Sequence, residues 1–219
     1  MRRFYFIIAA AFRLIGCVST HMASLHIKSP MRVVIDGQSN AMYLPKEYIM
    51  CALLLHGIAA DSVINIAGSG TSLRQHMKIG DPWANTITPQ PNIYAVALTD
   101  IKKAAPQLYI WWQGEFEAGY DHGSQTYASD FRNFITDLRE QAGHFIVVYV
   151  KLSAQSGCTK ALSEMREQQD SLMSIPNVYR VTIDDLKPPD GLHYTDAQYR
   201  IVASRIASVF ASNRRRGSE

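Results

Sequence analysis

Cysteine is scarce in this chain. Its three cysteines, Cys17, Cys51 and Cys158, are too few for a disulfide framework, and their spacing fits no zinc site. Cys51 lies in the apolar run MCALLL and is expected in the core. It and Cys158 are the one pair left for a disulfide should Cys17 be engaged elsewhere. His21, His26, His56, His76, His122 and His144 show no metal-ligand spacing, so they are assigned to solvent or core and no metal is expected. Charge of one sign is also in short supply. The net charge is +3 and no basic stripe is interleaved with aromatics, so nucleic acid is not an expected partner. The run Arg214-Arg215-Arg216 opens a basic tail, 214–219, that reads as solvated. No stretch reaches the ~18 unbroken apolar residues of a spanning helix, and no internal repeat or low-complexity segment is present.

What is present suits one globular domain: 219 residues, 47% of them hydrophobic and 19% charged. The segment 1–17, MRRFYFIIAAAFRLIGC, opens with Arg2 and Arg3, followed by a short apolar run and Leu14-Ile15-Gly16 before Cys17. It resembles a bacterial lipoprotein signal, with Arg13 as a poor fit, and implies a lipidated Cys17 as the first mature residue. Cleavage there takes the net charge from +3 to 0 and leaves 18–30 as a polar linker. The location that follows is extracytoplasmic, on the bacterial envelope; a cytoplasmic or phage-associated protein is the alternative.

From residue 31 to 213, apolar runs alternate with amphipathic segments. RVVID (32–36), SVINI (62–66), QLYIWW (107–112), FIVVYVKL (145–152) and NVYRVTI (177–183) read as strands, several apolar on both faces. Helices are expected over roughly 46–59, 93–104, 124–142, 160–174 and 195–212, and 68–92 reads as a long irregular stretch. Strand–helix alternation predicts a three-layer α/β/α sandwich around a parallel sheet of about five strands. Ligands of such sheets sit outside the carboxyl ends of the strands. Four segments occupy those ends: Gly37-Gln38-Ser39-Asn40, Ala67 to Thr71, Gln113-Gly114-Glu115, and Asp190 to His193.

Each segment alone has an ordinary explanation. Ser39 suits a helix cap, Gly68 and Gly70 suit turns, and a single histidine after a turn is usually structural. Together they carry chemistry. A serine hydroxyl needs an adjacent base that a third group orients. Asp190 and His193 are three residues apart, so one turn brings carboxylate to imidazole. The backbone N–H groups of Ser39 and Gly70 and the Gln113 amide could face an oxyanion, whereas an ionised Glu115 cannot donate.

The order GQSN (37–40), NIAGSGT (65–71), WWQGE (111–115), DGLH (190–193) resembles the SGNH hydrolase superfamily, in its sialate O-acetylesterase-like, carbohydrate-esterase branch. The resemblance spans about residues 32–212. It implies a flavodoxin-like fold, Ser39 as nucleophile, His193 as general base and acid, Asp190 orienting it, and Ser39, Gly70 and Gln113 around the oxyanion. Gln38, Asn40 and Glu115 would be supporting or substrate-facing residues. The implied reaction is hydrolysis of acetyl or other short acyl esters on a carbohydrate, without cofactor. Two positions depart from the branch's pattern: Ala41 replaces a more usual Met, and Glu117 stands where Q-G-E-x-D has Asp. The second departure bears on substrate contacts. Trp83 and Tyr120 are placed at the site edge for stacking on a sugar, and of Trp111 and Trp112 one is assigned to core and one to the site. Two further readings stand beside the esterase: a non-catalytic glycan-binding or surface-attachment module on the same fold, and a lipase or thioesterase with a longer acyl pocket.

Overall fold

The fold is that of a computed structural model, which describes residues 31–87 and 93–214. The proposed signal with Cys17, the linker 18–30 and residues 215–219 of the tail lie outside them. In chain order the elements are β1 (Met31–Gly37), α1 (Ser39–Tyr43), α2 (Lys46–Leu55), β2 (Ala60–Asn65), α3 (Ala84–Ile87), α4 (Ile93–Ala104), β3 (Leu108–Trp112) and α5 (Glu115–Tyr120). They continue with α6 (Tyr127–Ala142), β4 (Ile146–Val150), α7 (Leu162–Ser171), β5 (Val178–Val181) and α8 (Asp196–Asn213).

All strand pairs are parallel, in the order β2-β1-β3-β4-β5. This is the expected sandwich. Successive side chains on a strand point to opposite faces, and the two faces hold two separate cores. Val33, Ile35, Leu108, Ile110, Val148 and Val150 pack with Leu53 of α2 and Ile206 of α8. Val34, Tyr109, Val147 and Tyr149 pack with Ile101 of α4, Phe131 and Ile135 of α6, and Met165 of α7. The helices are amphipathic for this purpose. Tyr127, Phe131, Phe134, Ile135 and Leu138 recur along one stripe of α6, all buried. Helix α8 starts where Thr195 and Gln198 form a reciprocal capping box, each side chain satisfying the other's backbone N–H.

Three expectations change. Trp111 and Trp112 are both buried, one in each core, because adjacent strand residues must face opposite layers. Cys51 is exposed on the outer face of α2 with Met50, Leu54 and Leu55, since six successive apolar residues cannot all fit one helical stripe. Cys51 and Cys158 are both free thiols. The long stretch after β2 is shorter on irregular backbone than expected: it contains a 3-10 turn at Leu73–His76 and the one-turn α3.

Candidate active site

The sheet order reverses between β1 and β3, since β1 connects first to β2 on one side and the chain then crosses to β3 on the other. Such a switch point opens a crevice at the carboxyl ends. Gly37 closes β1 there with φ +130°, and a Cβ at that position would lie 2.1 Å from the Trp112 carbonyl oxygen. Only glycine lets β1 and β3 approach this closely while the chain turns into α1. Ser39 is the first residue of that helix and is buried to 4% exposure.

Across 154 residues of chain, His193 meets it: Nε2 lies 3.1 Å from Ser39 Oγ. On the other side of the ring, Nδ1 lies 3.0 Å from Asp190 Oδ2. The second oxygen of Asp190 accepts the backbone N–H groups of Leu192 (2.8 Å) and His193 (2.6 Å). These backbone bonds, the one from His193 first, hold the Asp190 carboxyl down at about 2, so it is ionised throughout the neutral range. Tyr43 packs edge-on against the imidazole, with ring centroids 5.3 Å apart.

Ser39 and His193 open into a cleft of about 560 Å³ whose lining includes Gln38, Gly70, Glu115, Phe116, Tyr120 and Leu192. Gly70 takes a left-handed turn, φ +68°, that brings its backbone to this rim. The sequence did not point to one wall, the segment Gly157-Cys158-Thr159-Lys160. It follows β4, and the strand-end rule applied to that fourth strand would have found it.

Residues 30–212 match the family described as carbohydrate esterase, sialic acid-specific acetylesterase. The chain belongs to this carbohydrate esterase family. Among solved structures it resembles a protein from Arabidopsis thaliana, at 16% identity over 84% of this chain and 99% of that one, with a TM-score of 0.68. It also resembles a carbohydrate acetylesterase from Xanthomonas citri, at 17% identity over 83% and 55% of the two chains, TM-score 0.67. A lipase/acylhydrolase from Enterococcus faecalis follows the same path at 14% identity over 84% and 97%, TM-score 0.58. At these identities the likeness is one of fold. No curated protein sequence matches significantly.

In this carbohydrate esterase, Gln113, expected beside the oxyanion, and Asn40, expected to support the site or to face substrate, both face the interior. Gln113 is fully buried, and its amide nitrogen donates to the Thr71 carbonyl (3.0 Å), to Gln38 Oε1 (3.2 Å) and to the Glu117 carboxyl. It is a strut under the Gly70 loop. Asn40 is a clamp: Nδ2 donates to Glu115 Oε1 (2.7 Å) and to the Leu192 carbonyl (3.0 Å), while Oδ1 accepts the Tyr199 hydroxyl (3.0 Å). It ties α1 to the loop that carries His193, to α5 and to α8. Gln38 lines the cleft while its Oε1 accepts from Gly114 and Phe116 N–H groups at 3.3 and 3.2 Å, fixing the turn after β3.

Glu117 does not line the cleft. Its Oε1 accepts the Leu73 N–H at 2.7 Å, so the departure from the family pattern acts on the loop that follows β2 and not on substrate contacts. A second buried chain supports the same loop: Asp36 Oδ1 lies 3.1 Å from His76 Nδ1, and His76 Nε2 lies 2.8 Å from Thr71 Oγ1. Residue type alone gave no sign of it.

Burial pushes the Glu117 carboxyl from 4.5 up to about 7, against the bonds from Leu73 and Gln113 that favour its ionised form. The folded protein therefore keeps a proton that the unfolded chain releases from about pH 4.5 upward. Stability must fall as pH rises through that window, until the folded group ionises near 7. Relative to Glu117→Gln, the wild-type protein is expected to lose up to about 1.4 kcal/mol per pH unit between the two values. Urea unfolding of both proteins at pH 5, 6 and 7 checks this, and parallel stability curves would exclude it.

Proposed function

We propose that this esterase removes acetyl or similarly short acyl groups from the hydroxyls of a carbohydrate, through an acyl-enzyme on Ser39. The observation that carries the reading is the continuous relay from Ser39 Oγ through His193 to Asp190, at 3.1 and 3.0 Å, on the wall of a solvent-accessible cleft. His193 Nε2 takes the serine proton as Oγ attacks the ester carbonyl, and Asp190 stabilises the imidazolium and holds the ring's tautomer. Ser39 and Gly70 both line the cleft, and their backbone N–H groups are assigned as the oxyanion donors. Collapse of the tetrahedral species releases the sugar hydroxyl with the proton from His193. Water, deprotonated by the same imidazole, then frees the acid and Ser39.

The cleft composition supports a sugar ester. Phe116, Tyr120 and Leu192 give apolar surface, Tyr120 is 46% exposed at the rim, and Gln38, Ser69 and Thr159 add polar groups. Trp83 stands behind this rim, packed on Phe116 and Tyr120 and tilted over His122 at 4.1 Å. On the sequence alone we also propose that a lipidated Cys17 anchors the enzyme outside the cytoplasm; intact Met1–Gly16 recovered from cells would end that proposal.

Acetate release from a panel of O-acetylated glycans tests the substrate class, alongside aryl esters from C2 to C10. The expected result is acetate release from at least one glycan and a rate falling steeply beyond the shortest acyl chains. A maximum at the long chains would favour a lipase. Glycan binding with no acetate released would favour the binding module.

A further inference from the structure

Glu115 is the one residue of the cleft with a buried, unused hydrogen-bonding atom. It begins α5, is 5% exposed, and lines the cleft that holds Ser39 and His193. Its Oε1 accepts from Asn40 Nδ2 at 2.7 Å, whereas Oε2 is buried without a hydrogen-bond partner. An unpaired buried carboxyl oxygen costs stability. The relay does not use it, because His193 already has Ser39 and Asp190 on its two nitrogens. Burial pushes the Glu115 carboxyl up, and the Asn40 bond, the residue's own backbone N–H and the nearby His193 only partly oppose this. Asn40 also holds the Leu192 carbonyl, so Glu115 is fixed relative to the histidine loop and cannot turn away without breaking that clamp.

We propose that Glu115 Oε2 is a subsite for a hydroxyl on the alcohol part of the ester, so that the enzyme selects esters of polyhydroxylated alcohols over those of plain ones. The inference rests on the esterase reading above. An ester that brings a hydroxyl to Oε2 satisfies the orphan atom. An ester without one leaves the atom unpaired, as it is in the free protein. Sites built to pair a buried polar group reject the ligand lacking the partner far more strongly than apolar pockets reject a missing methylene. The neighbouring walls, Phe116 and Leu192, offer no competing polar partner through their side chains.

The test compares glycerol 1-acetate with propyl acetate, which differ only in the two hydroxyls, and uses phenyl acetate as a reference ester. The wild-type enzyme is expected to favour glycerol acetate in kcat/KM. Glu115→Met should cut that preference by roughly 10- to 100-fold, the range of a hydrogen bond to a charged group. Glu115→Gln keeps an oxygen for Asn40 and offers a neutral partner in place of Oε2, so it should fall between. A merely structural role would lower the rates on both esters together and leave their ratio unchanged. The proposal is overturned if the wild-type enzyme shows no preference, or if either folded variant retains the wild-type ratio. Failure of the wild-type protein to hydrolyse phenyl acetate would instead sink the esterase reading, and the subsite with it.

Discussion

Replacing Ser39 by alanine is expected to lower hydrolysis of an aryl acetate by a factor on the order of 10⁴ or more, with the fold intact. The large effect follows from what Oγ alone supplies. It is the only hydroxyl within hydrogen-bonding distance of His193 Nε2 among the described residues. On the proposed mechanism no acyl-enzyme forms without it, and the remaining cleft offers only the binding and oxyanion contributions that survive loss of a nucleophile. Stability should change little, because the hydroxyl makes one bond, at 3.1 Å, to a histidine that is itself partly solvated. Steady-state kinetics with an aryl acetate and a thermal melt of the same preparation separate the two effects. A rate within tenfold of wild type would remove Ser39 from the mechanism.

Gly37→Ala is expected to have the largest effect on the fold, costing more than about 4 kcal/mol or preventing soluble folding altogether. The added Cβ would stand 2.1 Å from the Trp112 carbonyl oxygen and 2.6 Å from its carbon, which are main-chain atoms of the neighbouring strand and cannot rotate away. The φ of +130° adds strain of its own for any residue with a side chain. Relief requires β1 and β3 to separate at their carboxyl ends, where Gln38 N–H donates to that same Trp112 carbonyl at 3.0 Å. Denaturant unfolding gives the cost directly. A variant with a wild-type midpoint would show that the β1–β3 contact is less rigid than its geometry implies.

The sheet and the Asp190–His193 contact were legible in the sequence because both depend on short, contiguous signals. Five apolar runs bounded by turns gave the five strands, and DGLH holds Asp190 and His193 within one turn. What was not legible depends on direction or on distance along the chain. Gln113 follows β3 as expected, yet its side chain turns under the Gly70 loop, and no local pattern says which way it faces. The Asn40 clamp joins residues 159 positions apart, to Tyr199, and 152 apart, to Leu192. Helix α5 escaped notice because six residues are too few to establish a periodicity, and Glu117 took its meaning only from Leu73 on another loop. In MCALLL the composition was read correctly as apolar, but the rotation of α2 decides that Cys51 faces out.

The placement of the three tryptophans gives the molecule an optical division of labour. Trp111 and Trp112 are sealed, one on either side of the sheet, so their emission reports the two cores together and is shielded from any quencher in solution. Trp83 is 42% exposed and rests against Phe116 and Tyr120, two side chains of the cleft wall. Acrylamide would therefore quench the Trp83 indole and spare the other two, so the emission it removes comes from behind the cleft wall and the emission it leaves comes from the two cores. The rim of the cleft and the cores can be followed separately in the same cuvette without a label.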